Sequence, residues 1–443
     1  MISDSPGHPS FLQAFRFWFK LGWISFGGPT GQIAIMHQEL VEKRRWISEE
    51  RFLHALNYCM LLPGPEAQQL AIYIGWLLHR AWGGIVAGAF FVIPSIFILT
   101  SLSWVYMAYG KIPVIASLFY GLKAAVLAIV AAAVIRIGQK VLKNGAMITL
   151  AAAAFVGIFF LKIPFPLIIL GAGLIGLAGG RMAPKHFLVV KGHGASSSSG
   201  SGAVLDTHHE TPDHAHPTLV HTLKVLGLCL PLWFLPLIAL SLRRGSEDVF
   251  FRMGIFFSKA AMVTFGGAYA VLPYVAQECV KTYGWLTGAQ MMDGLGLAET
   301  TPGPLIMVVN FVGFVGAWQH AGGLPPWLAG VFGGLVATYF TFLPCFLWIF
   351  LGAPYVEKLR GNVQLTSALS AITAAVVGVV LNLAVFFGGH VLKPEGRGFD
   401  FAALMLAAIA FFGMRKWNWD IVWVALGAAF AGLLLHIGHL IPI

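Results

Sequence analysis

The sequence predicts an all-α polytopic membrane protein made of two homologous halves. Three observations support this class: the composition, a series of long apolar segments, and a repeated pair of Gly/Pro motifs. Of the 443 residues, 58% are hydrophobic and only 10% are charged, against roughly 25% charged in soluble domains. This composition excludes a soluble enzyme and a disordered protein. The net charge of +10 does not indicate a nucleic-acid partner, because the Lys and Arg residues mostly flank apolar segments, as in inner-membrane proteins.

Thirteen apolar segments are candidates for membrane helices, since a helix needs about 20 apolar residues to cross a bilayer core. Four of them run for about 30 residues and contain Gly or Pro, so we expect broken helices or re-entrant hairpins there. These four are 11–40, 50–80, 249–279 and 288–320. The others are 82–108, 114–138, 145–161, 164–180, 219–242, 324–352, 364–388, 400–414 and 418–437.

A shift of 239 residues aligns the two halves, with 13 identities in 49 ungapped positions. The matches include Lys, Gln, Glu, Trp and Pro-Gly-Pro, which shared apolar composition does not readily produce. Gly83-Gly84 and Gly322-Gly323 extend this register, and an insertion of about 11 residues then aligns Pro94 with Pro344. The matching residues of the first half are Phe17, Lys20, Phe26, Gly27, Gly28, Gln38, Glu39, Val41, Trp46, Leu56, Pro63, Gly64 and Pro65.

The repeat defines the domain organisation: an N-terminal repeat at 11–180, a flexible Ser/Gly/His linker at 181–218, an extra linking helix at 219–242 and a C-terminal repeat at 249–437. Because the extra helix has no counterpart, the second repeat is expected to enter the membrane from the opposite side. The basic loop around Arg44 and its nearly uncharged counterpart around Lys281 favour this inversion. The histidines of the linker could bind a metal, but its Ser/Gly composition favours a solvated, flexible segment.

Two repeated motifs interrupt the apolar helices and predict an anion site. Glycine tolerates positive φ and allows close backbone approach, and each break can leave free N–H groups at the N-terminus of a half-helix, which attracts anions. Thr301 is expected to cap such a half-helix, and Pro29 suits a first turn. The alternative is a set of structural kinks. The residues concerned are Gly27, Gly28, Gly266, Gly267, Pro63, Gly64, Pro65, Thr301, Pro302, Gly303 and Pro304.

Ionisable residues inside a membrane are costly and are therefore functional candidates. Lys20 and Lys259 are a repeat-related pair that would neutralise a bound dianion, and Arg16 is a third candidate. Glu66 and Glu299 lie next to the Pro-Gly-Pro motifs and are candidate proton carriers.

Other ionisable residues have a structural alternative. For Arg16 and Lys123 it is snorkelling to the membrane surface. Glu39 and Glu278 are expected to cap helices or to pair with loop arginines.

No metal-ligand pair, nucleophile elbow or nucleotide-binding loop occurs within a span, so we expect neither an enzyme nor a cofactor nor a metal site. The four cysteines, Cys59, Cys229, Cys279 and Cys345, are expected to be buried and unpaired. Residues 1–10 lack the basic region of a cleaved signal peptide.

The motifs together resemble the chromate transporter family, in particular its long, two-domain ChrA type. The residues that carry the resemblance are Phe26-Gly27-Gly28-Pro29, Trp46-Ile47 and Leu62-Pro63-Gly64-Pro65-Glu66-Ala67-Gln68-Gln69, with Phe265-Gly266-Gly267, Trp285-Leu286 and Thr301-Pro302-Gly303-Pro304 in the second half. The second half departs from the first by having Ala268 in place of Pro29.

The resemblance implies a multi-pass protein of the bacterial inner membrane that exports chromate, driven by the proton motive force, and confers chromate resistance. Sulfate has nearly the same shape and charge and stays an alternative substrate. A passive anion channel is the alternative mechanism, and the sequence leaves open whether the protein is a monomer or a homodimer.

Overall fold

A computed structural model of the protein describes residues 8–26, 28–187, 218–265, 267–355, 363–394 and 398–441. These residues form helices and connecting turns, and no β-strand occurs among them. Gly27, Gly266 and most of the predicted 181–218 linker, including His208, His209, His214 and His216, lie outside the described residues.

The first half contains a series of short and long helices that follow the predicted segments. They are α1 (Phe11–Ile24), α2 (Gly28–His37, continued by a π-turn at Gln38–Lys43), α3 (Glu49–Leu61), α4 (Glu66–Tyr109), α5 (Pro113–Val141), α6 (Gly145–Phe159), α7 (Phe165–Met182) and the short α8 (Pro184–Phe187).

After the extra helix α9 (Leu219–Arg244), the second half repeats this order. Its helices are α10 (Val249–Met262), α11 (Ala268–Gln277, with a π-turn at Glu278–Thr282), α12 (Gly288–Thr300), α13 (Val308–Gln319, preceded by a 3-10 turn at Leu305–Met307), α14 (Pro326–Gly352), α15 (Val363–Leu392), α16 (Phe401–Lys416) and α17 (Ile421–Ile437).

The Phe-Gly-Gly breaks are the tips of helical hairpins. In the first half, the Phe17 ring of α1 lies 5.2 Å from the Trp46 ring, which follows α2. In the second half, the Phe256 ring of α10 lies 5.8 Å from the Trp285 ring, which follows α11. In each half the chain therefore turns back at the break, as expected for a re-entrant hairpin. We name these two segments the FGG hairpins (11–43 and 249–282).

The Pro-Gly-Pro motifs form the tips of a second hairpin in each half. The ring of Tyr58 in α3 lies 5.9 Å from that of Tyr73 in α4, and a Cβ added to Gly294 in α12 would lie 2.3 Å from the Phe311 ring in α13. We name these the PGP hairpins (49–78 and 288–319). The prediction of broken or re-entrant helices at both motifs is confirmed.

The two halves are intertwined by their long and short helices. The long helix α15 of the second half packs against α6 and α7 of the first half, and α5 of the first half packs against α16 and α17 of the second. Small residues allow the close approach: a Cβ on Gly176 would lie 2.7 Å from the Ser367 carbonyl oxygen, and one on Gly432 would lie 2.4 Å from that of Ser117. Each half thus packs a glycine of its last long helix against a serine of the other half, which confirms two equivalent halves. Ser117 therefore corresponds to Ser367.

After the PGP hairpins, the structure requires a different alignment of the two halves from the one that the sequence predicts. A Cβ on Gly75 would lie 2.4 Å from the carbonyl oxygen of Gly83, and one on Gly313 would lie 2.3 Å from that of Gly333. Gly83 therefore corresponds to Gly333, and its predicted alignment with Gly322 is wrong. The physical reason is the connection: the first half passes from the hairpin to the long helix by a tight bend at His79, whereas the second half inserts a loop at 320–325.

Six helices in the described part of the chain are long and apolar enough to cross a membrane, which makes this a multi-pass membrane protein. The six are Glu66–Tyr109, Pro113–Val141, Phe165–Met182, Leu219–Arg244, Pro326–Gly352 and Val363–Leu392. Re-entrant hairpins return to the side they start from, and α9 adds one crossing between the halves. If the shorter apolar helix α6 also crosses, five crossings precede the second half, and this odd number is what the predicted inversion requires; the inversion itself stays a prediction.

Candidate functional site

The tips of the hairpins from opposite halves are joined by a reciprocal pair of hydrogen bonds. The backbone N–H of Gly64 donates to the carbonyl of Thr264 at 2.7 Å, and that of Gly303 donates to the carbonyl of Ser25 at 2.8 Å. Both donors and both acceptors are related by the same shift of 239 residues. Each PGP tip therefore binds the FGG tip of the other half across a pseudo-two-fold axis.

The glycines at the tips have backbone conformations that other residues rarely adopt. The φ angles are +66° at Gly28, +131° at Gly64, +91° at Gly267 and +109° at Gly303. A Cβ on Gly303 would lie 2.2 Å from the Ser95 hydroxyl oxygen, which itself donates a hydrogen bond to the Pro302 carbonyl. Positive φ explains why glycine occurs at all four positions, and close packing adds to it at Gly64 and Gly303, where an added Cβ would lie 2.7 Å and 2.2 Å from a neighbouring atom.

Neighbouring polar side chains bind the remaining groups of the tips. The Gln69 amide donates to the Pro63 carbonyl at 2.9 Å, and the Gln32 amide donates to the Gly303 carbonyl. Pro29 lies in the first turn of α2, as predicted. The predicted N-cap role of Thr301 is wrong: Thr301 is the C-cap of α12, and its hydroxyl donates to the Ala298 carbonyl at 3.3 Å, because Pro304 starts the next helical turn.

Glu66 and Glu299 lie beside the first turn of α11. A Cβ on Gly267 would lie 3.7 Å from Oε1 of Glu66, and the Tyr269 hydroxyl donates to Oε1 of Glu299 at 2.6 Å. Glu299 is only 4% exposed, and its Oε2 has no hydrogen-bond partner. One carboxylate from each half thus contacts the first turn of α11, Glu66 near the Gly267 backbone and Glu299 through the Tyr269 hydroxyl, although the repeat does not relate them.

Two basic residues of α5 interact electrostatically with these carboxylates. Arg136 interacts electrostatically with Glu299 and Tyr269, and Lys140 interacts with Glu66. They are four residues apart and therefore share one helix face, and both side chains are exposed. In the sequence, Arg136 and Lys140 stand at the end of the apolar segment 114–138, where basic residues usually mark a cytoplasmic loop. The position of Arg136 inside that segment is the one signal for a role in a site.

The lysine pair predicted to bind the anion lies elsewhere in the structure. Lys20, Lys259 and Arg16 are exposed on α1 and α10, and no hydrogen bond or ion pair between them and Glu66 or Glu299 occurs among the described residues. Lys20 instead interacts electrostatically with Glu39. The Lys43 ammonium, 2.7 Å from Glu39, holds the pKa of that carboxyl below its usual range.

The predicted states of the cysteines hold: all four are free and buried. Within the described ranges, no group of three or more His, Cys, Asp and Glu residues could hold a metal ion.

A cavity of about 1090 Å³ between α4, α9 and α14 has mostly apolar walls, with Gln68 and Arg243 among its lining residues. The carboxylates and α5 cations described above do not line it.

Intertwined repeats with interrupted helices at their interface define a membrane protein of the kind that binds solutes between its halves. The chromate transporter family model matches residues 12–177 and 251–433, so the chain belongs to this family.

Two full-length relatives are similar over both halves. The chromate transport protein of Cupriavidus metallidurans is 28% identical over 426 residues, covering 96% of this chain and 93% of the relative. That of Pseudomonas aeruginosa is 29% identical over 440 residues, covering 97% and 94%. No solved structure matches this chain.

Proposed function

We propose that the protein exports chromate across the bacterial inner membrane and thereby confers chromate resistance, using the proton motive force. The observation that carries this proposal is the similarity to chromate transport proteins over almost the full length of both chains. The convergence of interrupted helices, two carboxylates and two cations at one helix N-terminus supports a site for an anion and for protons.

The proposed anion site is the N-terminus of α11 together with the side chains of Arg136 and Lys140. A helix N-terminus supplies only about half a positive charge, so a dianion leaving water needs further cations. Arg136 and Lys140 are candidates, because they interact electrostatically with Glu299 and Glu66. Ionised carboxylates would repel the dianion. Protonation of Glu66 and Glu299 would therefore admit the anion, and this links proton binding to anion binding.

The other predicted residues complete the proposal. Gly27, Gly28, Gly64, Gly266, Gly267 and Gly303 would give the anion access to backbone N–H groups. Lys20, Lys259 and Arg16 would attract the anion at the protein surface, because their side chains are exposed.

The electrical part of the proton motive force already favours export. Each charge moved through roughly 100 mV changes its free energy by about 2.3 kcal/mol, so a dianion leaving a negative interior gains about 4.6 kcal/mol. The same membrane potential would drive the dianion outward through a passive channel without any proton coupling. A channel is therefore the second candidate. Transport driven by a pH difference at zero membrane potential distinguishes the proton-coupled transporter from the channel.

The test uses purified protein in proteoliposomes, with the membrane potential and the pH difference imposed separately. We expect saturable chromate flux that responds to both. Glu66→Gln and Glu299→Gln should bind chromate as well as or better than the wild type, because the amide removes the repulsion, while the response to the pH difference weakens. Sulfate, which remains a dianion throughout, serves as a probe whose own protonation does not change.

The binding measurement on the same preparations uses charge-removing variants. Arg136→Gln and Lys140→Gln should weaken chromate binding at least fivefold, Lys20→Gln and Lys259→Gln should weaken it less, and Lys111→Gln, at the opposite end of α5, is the matched control. Normal binding by the Arg136 and Lys140 variants would place the anion site elsewhere. Flux that ignores the pH difference and does not saturate would favour the channel.

A further inference from the structure

A second buried carboxylate lies outside the site described above. Asp293 of α12 is 3% exposed. Its Oδ2 accepts a hydrogen bond from the Tyr106 hydroxyl of α4 at 2.9 Å and lies 3.7 Å from the Lys123 ammonium of α5. Its Oδ1 is buried and has no hydrogen-bond partner. Among the described residues, Lys123 and Tyr106 are the titratable groups that interact with Asp293.

Asp293 and Glu299 lie on the same helix, α12, and have the same kinds of partner. Each carboxylate has one unpartnered oxygen and accepts a hydrogen bond from a tyrosine of another helix. Each also interacts with a cation of α5: Lys123 for Asp293 and Arg136 for Glu299. Six residues separate the two carboxylates, which is about 9 Å along a helix.

The position of Asp293 within α12 gives the arrangement a direction. The helix begins at Gly288, next to a polar loop that contains the exposed Lys281 and Thr287, and ends at the PGP tip. Asp293 therefore lies between the surface end of α12 and Glu299. Lys123 is 29% exposed, so one partner of Asp293 reaches the surroundings of the protein.

We propose that Asp293, held by Tyr106 and Lys123, is a relay carboxylate that passes protons between Glu299 and the surface at which α12 begins. The proton leaves the Glu299 carboxyl, crosses the roughly 9 Å to Asp293 through water molecules, is taken up by the unpartnered Oδ1 of Asp293 and is released to water at the surface. Protonation of Asp293 removes its attraction for Lys123, so the two states differ in the ion pair. The proposal rests on the proposed function, since a relay has a role only in a proton-coupled transporter.

A purely structural ion pair is the alternative, because removing one partner of a buried pair is strongly destabilising. The two roles differ in what they do to exchange. Chromate-for-chromate exchange without a pH difference needs no net proton transfer, whereas net flux driven by a pH difference does. A relay variant therefore loses net flux and keeps exchange, and a structurally damaged variant loses both.

The experiment records chromate movement and luminal pH together in proteoliposomes. Asp293→Asn should reduce proton movement and pH-driven chromate flux at least tenfold while exchange stays within twofold of the wild type, and Asp293→Glu should restore part of the flux. Lys123→Gln should move the pH profile of net flux by about one unit toward higher pH, because the lost cation no longer favours the ionised carboxylate. Glu247→Gln, an exposed carboxylate paired with Arg252, is the control.

Tyr106→Phe gives an independent check, since it removes only the hydroxyl and keeps the ring against Phe311. It should lower proton movement more than exchange. The relay is overturned if Asp293→Asn shows the same flux under a pH difference as the wild type. It is also overturned if Asp293→Asn and Tyr106→Phe each lose exchange and net flux to the same extent. Either result leaves the transport function intact. Absence of chromate flux in the wild type instead overturns the proposed function itself.

Discussion

Replacing Gly303 by Ala tests the reciprocal contact between the hairpin tips. A non-glycine residue at φ +109° costs roughly 1–3 kcal/mol in backbone strain. The new Cβ would lie 2.2 Å from the Ser95 hydroxyl oxygen and 2.8 Å from its Cβ, so Ser95 must move and lose its bond to the Pro302 carbonyl. That bond contributes about 0.5–1.5 kcal/mol. The expected destabilisation is therefore about 2–4 kcal/mol, with loss of chromate flux.

Gly245→Ala separates strain from contact, because Gly245 also has a positive φ of +86° but nothing lies within 4 Å of its added Cβ. In detergent, the melting temperature of Gly303→Ala should be well below that of Gly245→Ala. Combined with Ser95→Ala, the cycle should give a coupling of about 0.5–3 kcal/mol, as for residues in contact. Equal melting of the two glycine variants, with normal transport by Gly303→Ala, would refute the packed tip.

Two further predictions concern topology and pH. In a background without the native cysteines, Arg45→Cys and Thr282→Cys should be labelled from opposite sides of the membrane; labelling from the same side would refute the inversion but not the duplication. Glu39 has a lowered pKa, so its stabilising effect is present at neutral pH and is lost as the pH falls through that lowered value. Glu39→Gln should therefore lower stability by at most about 1 kcal/mol at pH 7 and not at acidic pH, as checked by melting at both pH values.

The sequence was sufficient to predict the hairpins and their tips, because the signals there are local. Glycine and proline at matched positions determine where a helix must break, and the excess length of segments 11–40 and 50–80 indicates that the chain turns back. The failed alignment of Gly83 with Gly322 arose where this local signal ends. Both halves contain a Gly-Gly pair, and only the packing of Gly83 against Gly75 reveals which pair is equivalent.

The charged part of the site was only partly predictable. Glu66 and Glu299 stand next to the Pro-Gly-Pro motifs, but their convergence on α11 depends on the crossing of hairpins from opposite halves. Arg136 lies at the end of an apolar segment and therefore reads as a topology signal. Asp293 was missed, although it is one of only two acidic residues in the apolar segment 288–320, with Glu299, and an acidic residue in such a segment is itself a functional signal.

The charged groups are distributed less symmetrically than the fold. With Ser117 equivalent to Ser367, the α5 residues Lys123, Arg136 and Lys140 correspond to Thr373, Phe386 and His390 of α15.

The carboxylates follow the same one-sided distribution. In the register of the PGP hairpins, Glu299 corresponds to Met60 and Glu66 to Leu305. The N-terminus of α2 therefore has the glycine conformation of the α11 site without its carboxylates, and nothing lies within 4 Å of a Cβ added to Gly28. Since a proton carrier and a dianion repel each other when the carrier is ionised, a pair of identical sites would place that repulsion on both sides of the axis. In the proposed function, the duplicated backbone with one charged side would restrict proton binding to the tip at α11, since Met60 and Leu305 stand at the positions equivalent to Glu299 and Glu66.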